Sequence, residues 1–342
     1  MRICMVVHSW GDGGLEKHVT ELCNVLCTRH EVALIAHAPM GERLNPRVHF
    51  MPVDFTRSRL SPGLIRDLLR ALRSWPADIV HAQANKTAEL VGVLRRWIPG
   101  KAFVATIHNQ KGTTRMFSHF DQVIAVSPGI VPLVSRRAPT TAIFNGIHVP
   151  PAVADGRARL AREFGFDAGQ PILLGLGRLV EAKGFDVLVA AAAVAGVQVL
   201  IAGEGPLRPA LEQKIEASGA KVVLAGFRSD AETLMAAADA FVLSSRNEGF
   251  AYVFVEALLA ERPVLATDIP MVRSFLPPEL IVPVADVQAL AQALGTLSSD
   301  LARWRALMQP AFDRARNELT LDAMVSRTEA VYRAALAGAS KP

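Results

Sequence analysis

Short apolar runs alternate with amphipathic stretches along most of the chain, and that alternation predicts the fold. Strand-like runs fall near residues 2–8, 31–36, 48–53, 78–81, 102–107, 121–126 and 140–144 in the first half. In the second half they fall near 171–176, 197–202, 221–226, 239–243 and 263–267, with helical patterns near 184–195, 206–218, 230–237 and 251–260 between them. Strands alternating with helices in this way predict parallel, doubly wound sheets. Asn145-Gly-Ile-His-Val-Pro-Pro151 breaks regular structure and ends a first domain. Beyond residue 286 the pattern is helical to near the end, with Trp304 and Tyr332 as packing anchors. Val187 to Ala202 is almost wholly apolar. Gly196 divides it into an alanine-rich helix and a buried strand, each shorter than the roughly 20 residues of a membrane span.

Length and composition narrow the picture. A chain of 342 residues with 51% hydrophobic content is core-rich and long enough for two domains. It opens directly on the run Arg2-Ile-Cys-Met-Val-Val-His8 and then meets Asp12, so no signal peptide is expected. Cys4, Cys23 and Cys27 lack the partner set of a metal site and read as small buried hydrophobes in a reducing, cytoplasmic setting.

Charge is uneven. Residues 1–150 hold 18 Lys and Arg against 10 Asp and Glu, whereas the remainder holds 19 against 22. The helix expected from Ser61 to Trp75 aligns Arg66, Arg70 and Arg73 beside Leu64, Leu68, Leu72 and Trp75. That face fits either solvent or an anionic membrane surface. Nucleic acid is not expected, because the aromatics near those arginines, Phe55 and Trp75, form no stacking array.

The loops after strands carry the candidate chemistry, since ligands of open α/β sheets bind at strand carboxyl ends. Ser9-Trp-Gly-Asp-Gly-Gly14 leads from the first strand into a helix, and Gly13 and Gly14 let backbone approach phosphate or sugar closely. Arg178 and Lys183 lie five apart at the start of another helix, where two cations suit a diphosphate. Gly203-Glu-Gly-Pro206 and Gly226-Phe227-Arg228 end the next two strands, and the main chain of Phe227 and Arg228 offers an edge for a nucleobase. Glu248 precedes, and Glu256 lies inside, a helix expected to start near Phe250 or Ala251, with amides and dipole facing an anion. His108 follows a strand of the first half and admits both a structural and a ligand-binding reading. Gly175-Leu-Gly177 opens a partial dinucleotide fingerprint with Glu204 after the next strand, but Val180 replaces its third glycine. No Asp-x-Asp occurs, so no metal is expected at the diphosphate.

Together these residues resemble the GT-B retaining glycosyltransferases of the family 4 type. The resemblance is carried by GRLVEAKG, GEGPLR, LAGF, EGFAYVFVEAL and PVLAT between Gly177 and Thr267. It is supported by the Gly13-Gly14 turn with Glu16-Lys-His-Val, Thr-x-His at 106–108, and Asn145-Gly146. It implies an α/β GT-B fold, with two Rossmann-like doubly wound parallel-sheet domains facing a central cleft. Residues 1–150 would form an acceptor-side domain, onto which a C-terminal helix of about 320–342 packs back, and 151–319 the nucleotide-sugar domain. Arg178 and Lys183 would hold the diphosphate and stabilise the departing nucleotide. Glu256 would bind the ribose and Glu248 the donor sugar. Gly249, Phe250 and Ala251 would offer amides to phosphate and sugar, and His108 would contact the donor sugar.

The implied reaction moves a sugar, from a UDP-sugar by preference, to a glycan or glycolipid of cell-envelope polysaccharide or lipopolysaccharide synthesis. It proceeds with retention and without metal or cofactor, in the cytoplasm or peripherally at the inner membrane face. The competing expectations are a nucleotide-sugar epimerase or phosphorylase on the same fold, a nicotinamide dehydrogenase, and a non-catalytic nucleotide- or carbohydrate-binding module.

Overall fold

In a computed structural model the chain folds into two compact units, residues 1–146 with 321–342, and residues 147–320. The structure describes residues 1–9, 13–98, 100–108, 113–134, 136–149, 153–248 and 251–339.

The strands of the first unit are β1 (Arg2–Val7), β2 (Glu31–Ala36), β3 (His49–Pro52), β4 (Ala77–Gln83), β5 (Gly100–Ile107), β6 (Gln122–Ala125) and β7 (Thr140–Ala142). Its helices are α1 (Gly14–Leu26), α2 (Pro62–Ser74), α3 (Ala84–Leu94) and the single turn α4 (Val131–Val134). The sheet is parallel, in the order β3-β2-β1-β4-β5-β6-β7.

The second unit holds α5 (Gly156–Phe164), β8 (Ile172–Leu176), α6 (Phe185–Ala195), β9 (Gln198–Ala202), α7 (Arg208–Ser218), β10 (Val222–Gly226) and α8 (Ala231–Ala237). It continues through β11 (Ala240–Leu243), α9 (Tyr252–Leu259), β12 (Val264–Thr267), β13 (Ile281–Val282), α10 (Val287–Ser298) and α11 (Leu301–Glu318). Its strands are also parallel, in the order β10-β9-β8-β11-β12-β13. A last helix, α12 (Leu321–Ala339), returns to the first unit.

Strand periodicity explains the packing of the first unit. Ile3, Met5 and Val7 of β1 point into a core shared with Val19, Leu22 and Leu26 of α1 and with Met324, Val325 and Tyr332 of α12. Cys4 and Val6 point the other way, among Leu64, Leu68 and Leu72 of α2 and Ala88, Val91 and Leu94 of α3. All three cysteines are buried and free. In the second unit α6 lies against α7 and α10, and α11 against α9. Trp304 is fully buried, and its indole N–H donates to the Val264 carbonyl at 3.3 Å. The apolar stretch 187–202 resolves into the end of α6, a left-handed cap at Gly196 (φ +68°) and β9. Among the described residues no helix is long and apolar enough to cross a membrane.

Each sheet reverses its strand order once, between β1 and β4 and between β8 and β11. A reversal leaves a crevice beyond the carboxyl ends of the flanking strands, because the connections leave it in opposite directions. At the opposite end of β8 and β11 the Asp239 carboxylate takes both ends of the Arg157 guanidinium (2.6–2.9 Å) and the Ile172 amide (2.8 Å). This clamp pins the starts of the two strands whose far ends border the crevice.

Candidate active site

The loops after β8 and β11 meet at the crevice of the second unit. The Arg246 amide donates to the Ala182 carbonyl at 2.8 Å, and Ser244 Oγ donates to the Lys183 carbonyl at 2.9 Å. Gly184, at φ +64°, stands where a side chain would overlap the Ser244 carbonyl, so only glycine permits this approach. Arg246 also grips both oxygens of Asp186 at 2.7 Å, and that hydrogen bond holds the Asp186 carboxyl below its ordinary range.

This stitching brings Lys183 and Glu248 together: Nζ lies 2.6 Å from Oε1, with side chains 20% and 11% exposed. Ser245 Oγ donates to the same carboxylate oxygen at 2.7 Å, and Thr267 Oγ1 at the end of β12 donates to the Ser245 carbonyl at 2.5 Å. Ser245 and Thr267 are each 1% exposed, and the sequence reading missed both. Their only sequence signal is a hydroxyl just after, or at the end of, an apolar strand.

Arg178 lies two residues past β8 and is exposed, with no side-chain hydrogen bond or ion pair among the described residues. The loop after β9 packs against it. The Gly177 amide donates to Ala202 (3.0 Å), Leu179 to Glu204 (2.9 Å) and Gly203 to Gly226 (2.8 Å). A side chain on Gly203, at φ +145°, would overlap the Gly177 carbonyl. The carboxyl ends of β10, β9, β8 and β11 thereby form one rim, carrying in turn Phe227, Gly203, Arg178 and the Lys183–Glu248 pair.

The other residues singled out by sequence are distributed as follows. Phe227 is 77% exposed. The Arg228 guanidinium is taken by Asp230 (2.7 and 2.9 Å) and Glu163 (2.7 Å), which leaves its main chain rather than its side chain for a ligand. Ala251 is buried at the N-cap of α9, and Glu256 sits partly exposed in that helix's second turn. Gly249 and Phe250 lie outside the described residues. Among the described residues no cluster of His, Cys, Asp and Glu is placed to hold a metal ion.

In the first unit, Gly13 caps α1, but its amide donates to the Glu16 carboxylate (3.0 Å), so it offers a ligand close approach rather than a donor. Gly14 begins that helix. The His8 amide crosses the β1/β4 crevice to Thr87 Oγ1 at 2.8 Å. His108, just past β5, places Nε2 2.9 Å from the amide oxygen of Gln83, the last residue of β4. His18 of α1 stands edge-on to it, with ring centroids 4.9 Å apart. Burial, and the proximity of His18 and His81, push His108 well below the ordinary imidazole pKa. Burial takes His18 to about 4 and His81 to about 3.

Two such parallel-sheet units, each with its ligand crevice at a strand reversal, define a GT-B architecture. The Anabaena protein Alr3699/HepE, solved in complex with UDP, superposes with a TM-score of 0.83 at 19% identity, covering 97% of this chain and all of that one. Residues 12–149 match the model of Glycosyltransferase Family 4, and residues 170–300 that of Glycosyl transferases group 1. The chain belongs to this group 1, family 4 type of glycosyltransferase. The lipopolysaccharide core biosynthesis glycosyltransferase LpsE of Rhizobium meliloti is 27% identical, over 86% of this chain and 88% of its own length. The 2-deoxystreptamine N-acetyl-D-glucosaminyltransferase of Streptomyces fradiae is 27% identical, over 87% and 83%.

Proposed function

We propose that this enzyme binds a nucleoside-diphosphate sugar, by preference a UDP-sugar, in the second unit and transfers the sugar with retention to a hydroxyl of a glycan or glycolipid acceptor. The observation that carries this reading is the Lys183–Glu248 pair at the β8/β11 crevice, with Arg178 on the same loop and unpartnered among the described residues. A carboxylate suits the donor and acceptor hydroxyls of a sugar, and two cations suit a diphosphate. Glu256 is assigned the ribose hydroxyls, the exposed edge at Phe227 and Arg228 the nucleobase, and His108 a sugar hydroxyl. The Anabaena neighbour's UDP and the lipopolysaccharide assignment of the Rhizobium relative support the donor and acceptor classes.

Chemistry here is positioning and charge neutralisation. The bond from the anomeric carbon to the phosphate oxygen breaks, and negative charge grows on the diphosphate, where Arg178 and Lys183 meet it without a metal. The acceptor oxygen bonds the anomeric carbon on the same face, and its proton passes to the departing phosphate oxygen. No protein nucleophile enters the sequence of steps. The acceptor is assigned to the first unit, whose helix α2 exposes Arg66 and Arg70 to an anionic membrane surface.

The test is incubation of purified protein with a UDP-, GDP- or ADP-sugar and a glycolipid acceptor in EDTA, followed by NMR of the product. Release of nucleoside diphosphate with an unchanged anomeric configuration is expected. An epimerised sugar, a sugar phosphate, or no turnover of any donor overturns the assignment.

A further inference from the structure

The first unit contains a chain of buried polar side chains that the transfer mechanism leaves unused. Tyr332 of α12, His81 and Gln83 of β4, and Thr106 of β5 are each at most 1% exposed. The Tyr332 hydroxyl lies 2.7 Å from His81 Nδ1, and Thr106 Oγ1 lies 2.7 Å from His81 Nε2. The Gln83 amide nitrogen lies 3.4 Å from the same Nε2, and the Gln83 amide oxygen lies 2.9 Å from His108 Nε2. Beyond His108 stands His18, 5% exposed, with neither ring nitrogen hydrogen-bonded among the described residues.

With the Gln83 amide oxygen turned to His108, the proton arrangement along this chain follows. A primary amide accepts at one end and donates at the other. If its oxygen faces His108, its NH2 faces His81 Nε2, which must then be a lone pair. The His81 proton therefore sits on Nδ1, where the Tyr332 hydroxyl accepts it, and Thr106 donates to Nε2. Facing the Gln83 oxygen, His108 carries its proton on Nε2 and keeps Nδ1 as an acceptor. The titratable groups facing His108 are His18 from α1 and His81 from β4, and neither favours a charge on it.

We propose that Gln83 is a positioning residue for transfer: it fixes the orientation and the neutral Nε2–H tautomer of His108, and leaves Nδ1 to accept a hydrogen bond from a substrate hydroxyl. This rests on the role of His108 proposed above, and the test separates the two. The same logic accounts for a glutamine at this buried position. A glutamate would draw a proton onto His108, and a leucine would take away the partner of His108 Nε2.

The experiment combines histidine 15N NMR on the full chain with turnover of UDP-glucose or UDP-N-acetylglucosamine, whichever the wild type consumes, between pH 5.5 and 8. In the wild type His108 should show a single Nε2–H tautomer that does not titrate in this range. In Gln83→Leu the tautomer signals should mix and kcat/KM should fall about 2- to 12-fold, the cost of one typical hydrogen bond. In the isosteric Gln83→Glu, His108 should titrate within the range and the rate profile should gain a limb that the wild type lacks. An Nδ1–H tautomer in the wild type, or His108 signals unmoved in both variants, overturns the proposal. Signals that move while kcat/KM stays at wild type also overturn it, and show that the role given to His108, rather than its hydrogen bond, is wrong.

Discussion

Replacing Lys183 by methionine keeps its length and apolar stem but removes the ammonium. That ammonium has one observed contact and one proposed task. It neutralises Glu248 at 2.6 Å, and it stands where the proposed diphosphate would lie. The contact concerns stability. Losing one partner of a partly buried charged hydrogen bond costs about 1–3 kcal/mol, and Ser245 Oγ remains on the carboxylate to limit the loss. For a unit of this size that is a fall in Tm of about 2–12 °C. The proposed task concerns rate. Removing one preorganised donor to developing negative charge costs about 2.7–4 kcal/mol, or roughly 100- to 900-fold in turnover at 1.36 kcal/mol per decade. Calorimetric melting and a nucleoside-diphosphate release assay read the two separately.

A double variant then decides whether Lys183 acts on the donor or merely holds Glu248. If Lys183 meets the diphosphate while Glu248 meets the sugar, Lys183→Met/Glu248→Gln should be slower than either single variant. If the double variant is no slower than the worse single variant, or if Lys183→Met keeps near-wild-type turnover while folded, the diphosphate role is refuted.

Gly203→Ala should abolish donor binding while the sheet still folds, because the added methyl overlaps the Gly177 carbonyl and pushes the Arg178 loop outward; isothermal titration with UDP reads this. The folded pKa values of His18 and His81, about 4 and about 3, lie below the unfolded value of 6.5. The unfolded chain therefore binds more protons in this window, and stability is full above pH 6.5 and falls as pH drops toward 4, by up to about 1.4 kcal/mol per pH unit for each group. Urea melts at pH 7, 6 and 5 should show that slope, and His18→Phe should remove one group's share. Arg66→Glu and Arg70→Glu should each weaken binding to phosphatidylglycerol vesicles at least about fivefold, from roughly 1 kcal/mol per surface cation, whereas equal binding by wild type and both variants would refute the membrane role of α2.

The fold was legible because parallel strands buried on both faces appear as continuous apolar runs, and because several of the runs, β1, β8, β9 and β10 among them, end in a loop marked by glycine. The runs at 31–36 and 197–202 and the Gly196 break emerge close to where the pattern places them. Trp304 and Tyr332 are both fully buried, as anchors should be. β13 escaped notice because two residues carry no periodicity, α3 because it begins directly after β4 with no turn between them, and α5 because it is a short helix of nine residues. Contact between Lys183 and Glu248 could be anticipated across 65 residues because both follow strands bordering one reversal. Ser245, Thr267 and the chain from Tyr332 to His108 could not. Those contacts depend on strand register and on which face each side chain takes, and a lone hydroxyl, amide or imidazole in an apolar run does not declare its partner. The sequence also could not show that the Arg228 guanidinium is spent on Asp230 and Glu163.

The most direct measurement of the central claim is calorimetric titration of UDP-sugars, with NAD as control, into wild-type protein, Arg178→Ala and Glu256→Gln in EDTA. The account predicts that the wild type binds without metal, that Arg178→Ala loses affinity for both UDP and UDP-sugar, and that Glu256→Gln loses affinity for UDP through its ribose. Binding of NAD but not UDP, binding that appears only with added magnesium, or wild-type affinity in both variants would contradict it.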